Sequence, residues 1–178
     1  LPINISSKFA CFLFSTFGKL SGANKTAINN CRYVFPELKE EEIKRIVKKS
    51  WHNLGKTISE LPKLNHLFDK KKIKYNKIEN IENLIKNNKQ GIFICIHQSN
   101  WEVVVPSLDR VGINLGAIYR HINNHFLDKL LLKIRTNSLV SSKSFYTPKG
   151  KKSAKDITGA IRNSLSILVV VDQKDSSG

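Results

Sequence analysis

Two side chains five residues apart, His97 and Glu102, are suited to acid–base chemistry. An imidazole, with an ordinary pKa of about 6.5, can accept a proton near neutral pH, and a hydrogen-bonded carboxylate fixes its tautomer and raises its basicity. Residues five apart lie about 140° apart around a helix and on opposite faces of a strand, so neither element alone brings them together. We therefore expect a strand that turns into a helix at this point.

The residues around His97 have the composition of such a turn. Ile92 to Ile96 is a short, apolar and mainly β-branched run after a glycine, which indicates a strand covered on both faces of a sheet. Ser99 or Asn100 would cap the following helix, which places Glu102 in its first turn. On the residues alone a structural interpretation stays open, in which His97 is a hydrogen-bonded histidine at a strand end and Glu102 complements the helix dipole.

Five segments of the chain resemble one enzyme family. The string H-Q-S-N-W-E at 97–102 is similar to the H-x-x-N-W-E form of the H-x4-D/E motif of glycerolipid-type acyltransferases, a form found in the lipid A biosynthesis acyltransferases of lipopolysaccharide assembly. The other four segments resemble the same family in the same order, although His125 and Val171 stand where it usually has proline. They are N-N-C-R-Y-V-F-P-E at 29–37, Y-R-H-I-N-N-H-F-L-D at 119–128, P-K-G at 148–150 and V-D-Q at 171–173.

The resemblance implies an acyl transfer reaction. It implies that His97 deprotonates a hydroxyl group of a lipid A precursor, typically the 3-hydroxyl of a glucosamine-linked acyl chain, and that Glu102 orients His97. The alkoxide would attack the thioester of an acylated acyl carrier protein, while helix-start amides or a basic side chain steady the oxyanion. No metal, nucleotide or other cofactor is implied. A related phospholipid or glycolipid acyltransferase, or an inactive fragment of one, is the alternative.

Four further residues are candidates for substrate binding: Asn100, Arg120, Arg135 and Asp172. The two arginines suit phosphate or carboxylate groups, and a surface salt bridge is an equally open alternative for either. The family's pattern assigns Asp172 to supporting an arginine or a loop, and Asn100 also suits shaping the turn. The five histidines form no recognisable ligand pair, so we expect no metal site.

The chain is strongly basic, with a net charge of +16 from 30 basic and 14 acidic side chains. This charge favours polyanionic partners, namely an acidic carrier protein, an anionic lipid A precursor, a membrane surface or nucleic acid. No compact string of arginines and aromatics appears, so a basic nucleic-acid-binding domain is the alternative from another class, and the acyltransferase interpretation includes no nucleic acid. A compositional bias toward lysine also explains much of the charge. Three scattered cysteines indicate a reducing compartment.

The amino-terminal apolar segment bears on localisation. No segment reaches the roughly 18 consecutive apolar residues of a membrane span. Residues 9–17, between Lys8 and Lys19, suit an interfacial segment, the remnant of an anchor or a core helix. We expect a peripheral or singly anchored protein at the cytoplasmic face of the inner membrane. Because the family normally continues beyond the V-D-Q segment and the sequence contains no methionine, we expect it to be shortened at both ends.

Hydrophobic periodicity predicts an α/β fold, a mostly parallel sheet flanked by helices as in glycerolipid acyltransferases, after a helical amino-terminal region. We expect one structural domain, with a membrane-proximal helical region at 1–70 and an incomplete acyltransferase core at 71–178. His97, Arg120 and Asp172 each follow a predicted strand and should lie at the carboxyl edge of the sheet. The predicted helices are 7–20, 22–33, 39–60, 78–87, 101–111, 124–136 and 151–163, and the predicted strands are 72–75, 92–96, 115–119, part of 139–146 and 166–171.

Overall fold

Three helices form the amino-terminal part of the molecule. In the computed structural model, which describes residues 2–172 of the 178-residue chain, they are α1 (Ile3–Phe17), α2 (Gly22–Val34) and α3 (Glu40–Glu60). Short 3₁₀ turns follow α1 at Gly18–Leu20 and α3 at Leu61–Lys63. Over residues 2–172, none of the helices combines the length and apolarity needed to cross a membrane.

Helix α3 has the clearest sequence signature and lies within one residue of its predicted range. Ile43 and Val47, four residues apart, are 2% and 5% exposed and form a small core with Cys31 of α2. At the start of the helix, the backbone N–H of Lys39 donates to the Glu42 carboxylate over 3.2 Å. Three glutamates in the first turn also interact favourably with the positive end of the helix dipole.

The chain divides between Lys63 and Leu64 into two compact units. The second unit alternates helices with strands. Its helices are α4 (Leu64–Asp69), α5 (Glu79–Lys86), α6 (Val104–Arg110), α7 (His125–Asn137) and α8 (Lys151–Arg162), and its strands are β1 (Ile92–Cys95), β2 (Leu115–Tyr119), β3 (Phe145–Pro148) and β4 (Ser166–Val170).

The four strands form one parallel sheet in the order β1-β4-β2-β3. Helices α6, α7 and α8 pack against the strands, and the core is built on Leu115, Ala117 and Leu168, each at most 2% exposed. The predicted α/β fold with a parallel sheet is therefore confirmed. Because the strands are parallel, the segments that follow them emerge at the same edge.

Some predicted elements differ from the structure. Residues 72–75, predicted as a strand, form an irregular loop, and α4 was not predicted. Lys71 and Lys77 have φ angles of 49° and 54°, which end any extended run on either side of that loop. The strand expected within 139–146 lies at Phe145–Pro148. The helix expected from residue 101 begins as a 3₁₀ turn at Trp101–Val103 before α6.

Strand β1 is not covered on both faces as predicted. It is an edge strand that pairs with β4, and Ile92 and Ile94 are 71% and 69% exposed. Only the alternate residues, Phe93 and Cys95, pack against the core cluster.

The boundary between the two compact units lies after residue 63. The division at residue 70 and the single structural domain stay predictions. Helix α4 belongs with the sheet because of its hydrogen bonds. The Asn65 side chain donates to the carbonyl oxygen of Asn137 over 3.2 Å and accepts from Arg110 over 2.7 Å.

Candidate active site

The order of the strands brings His97 and Asp172 together although they are 75 residues apart. Cys95 pairs with Val170 in the ladder between β1 and β4, and the N–H of Val171 donates to the Cys95 carbonyl over 3.1 Å. One residue further on, the backbone N–H of His97 donates to Oδ2 of Asp172 over 2.8 Å. The imidazole Nδ1 lies 2.8 Å from Oδ1 of the same carboxylate. Asp172 therefore holds both the backbone and the ring of His97.

This contact decides which nitrogen of the imidazole can act as a base. Partial burial raises the pKa of Asp172, but the hydrogen bonds from the ring and the N–H of His97 lower it by a larger amount. The pKa of Asp172 therefore lies below its usual value. An ionised carboxylate accepts from Nδ1–H, which leaves the lone pair of a neutral imidazole on Nε2. The His97 side chain is 27% exposed, so a substrate hydroxyl can reach it.

Trp101 restricts the ring from another side. Its indole meets the imidazole edge to face, with centroids 5.0 Å apart and planes inclined by 70°. Asn100 lies between the two rings in sequence, immediately before the 3₁₀ turn, and its carbonyl oxygen accepts from the N–H of Val103 over 3.4 Å. Asn100 thus precedes the turn as expected but does not cap it through its side chain.

Glu102 does not pair with His97 as we expected, because both of its carboxylate oxygens accept from Arg135. Nε of Arg135 donates to Oε2 over 2.8 Å and Nη2 to Oε1 over 2.6 Å. The Glu102 and Arg135 side chains are only 9% and 16% exposed. Burial lowers the pKa of the Arg135 guanidinium, but the hydrogen bonds to Glu102 outweigh it and the pKa is raised. The pair is a bidentate, largely buried ion pair that ties the turn after His97 to α7.

Aromatic side chains at the end of β2 lie next to this ion pair. The Arg135 guanidinium carbon lies 5.8 Å from the Tyr119 ring centroid, and the Tyr119 ring meets the His121 ring edge to face at 5.3 Å. His121 is exposed, and its Nδ1 lies 2.5 Å from Oδ2 of Asp128. Tyr146 lies beside the ion pair, and its pKa is raised first by burial and then by the negative charge of Glu102.

Arg120 differs from Arg135 in being exposed. It follows β2, and within residues 2–172 it forms no ion pair. Its guanidinium is therefore available to an anionic ligand at the carboxyl edge of the sheet, whereas Arg135 is already neutralised. The surface salt bridge considered for Arg120 is not formed with any residue of the described range 2–172.

Sequence reasoning assigned no role to Tyr119, His121, Asp128 or Tyr146, although the first three lie in the segment at 119–128 that resembles the family. Asp128 could have been identified from the sequence, because it ends the Y-R-x-x-x-N-x-x-x-D segment. Its Oδ1 also accepts from the Ile122 N–H over 3.0 Å, so it fixes the loop between β2 and α7. Gln173 of the V-D-Q segment lies outside the described residues. Within residues 2–172, no cluster of three or more His, Cys, Asp or Glu side chains could hold a metal ion.

Comparison with known proteins agrees with the motifs. A family model for bacterial lipid A biosynthesis acyltransferase matches residues 1–178, the whole chain. No curated protein matches the chain. The chain therefore belongs to the bacterial lipid A biosynthesis acyltransferase family.

Proposed function

We propose that this protein moves a fatty acyl group from the thioester of acyl carrier protein to a hydroxyl group of a lipid A precursor. Membership of the family supports the function of an acyltransferase that acts in lipid A synthesis. The observation that carries the chemical proposal is the contact of His97 with Asp172 over 2.8 Å, which leaves Nε2 of a partly exposed imidazole as the base.

The proposed reaction uses that nitrogen twice. Nε2 of His97 takes the proton from the acceptor hydroxyl while the oxygen forms a bond to the thioester carbonyl carbon. Collapse of the tetrahedral intermediate breaks the carbon–sulfur bond. The proton on Nε2 then passes to the leaving thiolate, so the histidine returns to its starting state. Asp172 stabilises the transient imidazolium, because a carboxylate within hydrogen-bond distance favours the charged ring.

Glu102 acts in this proposal through Arg135 rather than through His97. The bidentate ion pair fixes the turn at residues 101–103, and this turn carries the Trp101 indole against the His97 ring. Glu102 and Arg135 are therefore positioning residues. Arg120, exposed and without an ion pair in the described chain, would bind a phosphate of the acceptor.

The charge of the chain supports the proposed partners. A net charge of +16 favours association with an acidic carrier protein and with a phosphorylated acceptor. A membrane-embedded acceptor would place the protein at the cytoplasmic face of the inner membrane, where acyl carrier protein is also accessible. We propose this location on the basis of the substrate class.

The test is acyl transfer by the purified protein, followed by mass spectrometry of the acceptor. The wild-type protein should add one acyl chain to a phosphorylated lipid A precursor when given acylated carrier protein. His97→Ala should lower the rate at least about a hundredfold, because general base catalysis is lost. His52→Ala, which changes an exposed histidine of α3, is the matched control and should retain the wild-type rate.

Three outcomes would contradict the proposal. Wild-type turnover in His97→Ala would remove the histidine from the chemistry. Equal transfer to a lysophospholipid and to the lipid A precursor, or a preference for acyl-coenzyme A over acylated carrier protein, would show that the acceptor or the donor is wrong.

A further inference from the structure

Helix α1 has an unusual distribution of side chains: its two buried residues are small, whereas several large apolar residues are exposed. Cys11 and Ser15 are 4% and 8% exposed. Phe9 and Phe12, on the opposite side, are 60% and 63% exposed. A helix that packs on a protein core in water normally shows the reverse arrangement.

The inner face of α1 is too tightly packed to accept these phenyl rings by rotation of the helix. A Cβ on Gly55 of α3 would lie 2.6 Å from the backbone oxygen of Ala10, so the two helices meet at backbone distance. A Cβ on Gly18 would lie 2.4 Å from the Trp51 ring. The Ser15 hydroxyl is satisfied within the helix, because it donates to the Cys11 carbonyl over 2.5 Å. The outward orientation of the phenylalanines is therefore fixed by packing.

Three of the exposed apolar residues of α1 lie in one stripe that continues into the 3₁₀ turn, whereas Phe17 lies outside it. We call this the outer stripe, and its members recur at spacings of three and four residues along α1 before reaching the 3₁₀ turn: Ile5, Phe9, Phe12 and Leu20, with the exposed Thr16 between the last two. Exposed apolar patches of this kind mark sites that contact another protein or a membrane.

The charges around the outer stripe indicate which of these two partners it contacts. Residues 1–36 contain no aspartate or glutamate, while Lys8, Lys19 and Lys25 are all exposed. Lys8 and Lys19 border the stripe near its two ends, and lysine stems can lie along apolar surface while the ammonium group reaches an anionic layer. Lysine is depleted at interfaces between proteins but enriched on helices that lie at membrane surfaces.

We infer that the outer stripe of α1 docks the protein on an anionic lipid bilayer, with α1 lying in the plane of the surface. A helix with an apolar stripe on one side, bordered by lysines, has the arrangement of helices that lie in the interface plane. This inference deepens the proposed function and rests on it in one respect, that the acceptor is a lipid held in the same bilayer.

The experiment is sedimentation of the protein with vesicles of phosphatidylcholine containing one third phosphatidylglycerol. The double variant Phe9→Gln/Phe12→Gln should lower the partition coefficient at least about tenfold, because two phenyl rings no longer enter the interface. The matched control is Phe126→Gln/Leu130→Gln, which changes two exposed apolar residues of α7 and should bind as the wild type does. Circular dichroism checks that each variant is folded.

A second pair of variants tests the charge. Lys8→Gln/Lys19→Gln should weaken binding and reduce its dependence on salt, whereas Lys44→Gln/Lys48→Gln on α3 should change both much less. Equal binding by the wild type and the Phe9→Gln/Phe12→Gln variant would overturn the inference. So would a stripe-dependent dimer in solution that does not bind vesicles, since a second copy would then occupy the stripe.

Acyl transfer to a detergent-dispersed acceptor separates this inference from the proposed function. If the stripe variant loses vesicle binding but keeps that activity, both proposals are supported. If vesicle binding depends on the stripe and neither wild type nor variant transfers an acyl group, the docking surface stands and the proposed chemistry fails.

Discussion

Removing the charge of Glu102 should destabilise the second unit even if His97 is untouched. In Glu102→Gln the side chain keeps its shape and one oxygen that can accept from Arg135. The guanidinium, whose side chain is only 16% exposed, then lacks the negative charge that compensates it. The effect on folding follows from this contact alone, so it can be measured without any substrate.

The size of the effect follows from the geometry of the pair. Breaking a buried ion pair by changing one partner costs about 3–5 kcal/mol, and the residual exposure of Arg135 places this pair near the lower end. The retained neutral hydrogen bond returns about 1 kcal/mol. We therefore expect Glu102→Gln to lower the free energy of unfolding by about 2 kcal/mol. With a urea dependence of about 2 kcal/mol per molar, the unfolding midpoint should fall by about 1 M.

Urea unfolding of four proteins tests this value: wild type, Glu102→Gln, Arg135→Gln and the double variant. The double variant should be more stable than the sum of the single changes implies, by at least about 1 kcal/mol, since neither charge is then left alone. Arg45→Gln is a matched control because it breaks the exposed ion pair of Arg45 and Glu42, with side chains 67% and 41% exposed, and it should leave the midpoint unchanged. Additive losses, or a shift for Glu102→Gln no larger than that of the control, would refute the reasoning.

Three further predictions follow from single contacts. Asp172→Asn should reduce the rate of acyl transfer at least about a hundredfold with little change in KM, since the amide can stabilise the wrong tautomer of His97; steady-state kinetics measures both constants. The pKa of Asp128 is lowered by hydrogen bonds that outweigh its burial, so its stabilisation is present above the unfolded pKa of about 3.9 and is lost as the pH falls through the lower folded value. Unfolding curves from pH 6 to pH 3 should consequently be less pH-dependent in Asp128→Asn. Gly55→Ala should cost about 1–3 kcal/mol, because the new Cβ meets backbone at 2.6 Å, whereas Gly159→Ala in α8 has open space and should gain about 0.5–1 kcal/mol; thermal unfolding compares the two.

The helices and most strands were predictable because their signals are local. The recurrence of Ile43 and Val47 gives α3 within one residue, and the β-branched run before His97 gives β1. The exposure of Ile92 was not predictable, because composition does not show whether a strand lies at the edge of a sheet or at its centre. That depends on the strand order, which within residues 2–172 places β1 beside β4 alone.

The candidate residues were found, but the partners of the two acids were exchanged. We expected Glu102 to orient His97 and Asp172 to support an arginine, whereas Asp172 contacts His97 and Glu102 contacts Arg135. Sequence spacing favours the near neighbour, Glu102, five residues from the histidine. The parallel pairing of β1 and β4 makes Asp172 nearer in space, and nothing local in the sequence specifies that pairing.

This exchange has a consequence for how the site forms. The acid that orients His97 is 75 residues away in sequence, and the arginine that holds the following turn is 33 residues from Glu102. Both contacts require β4 and α7 to be in place, and β4 must insert between β1 and β2. Because closing such long loops precedes the gain from the contacts, the oriented imidazole should be absent until the sheet is complete. The base of the proposed reaction is in this sense a property of the finished sheet rather than of the H-x4-E segment that reveals it.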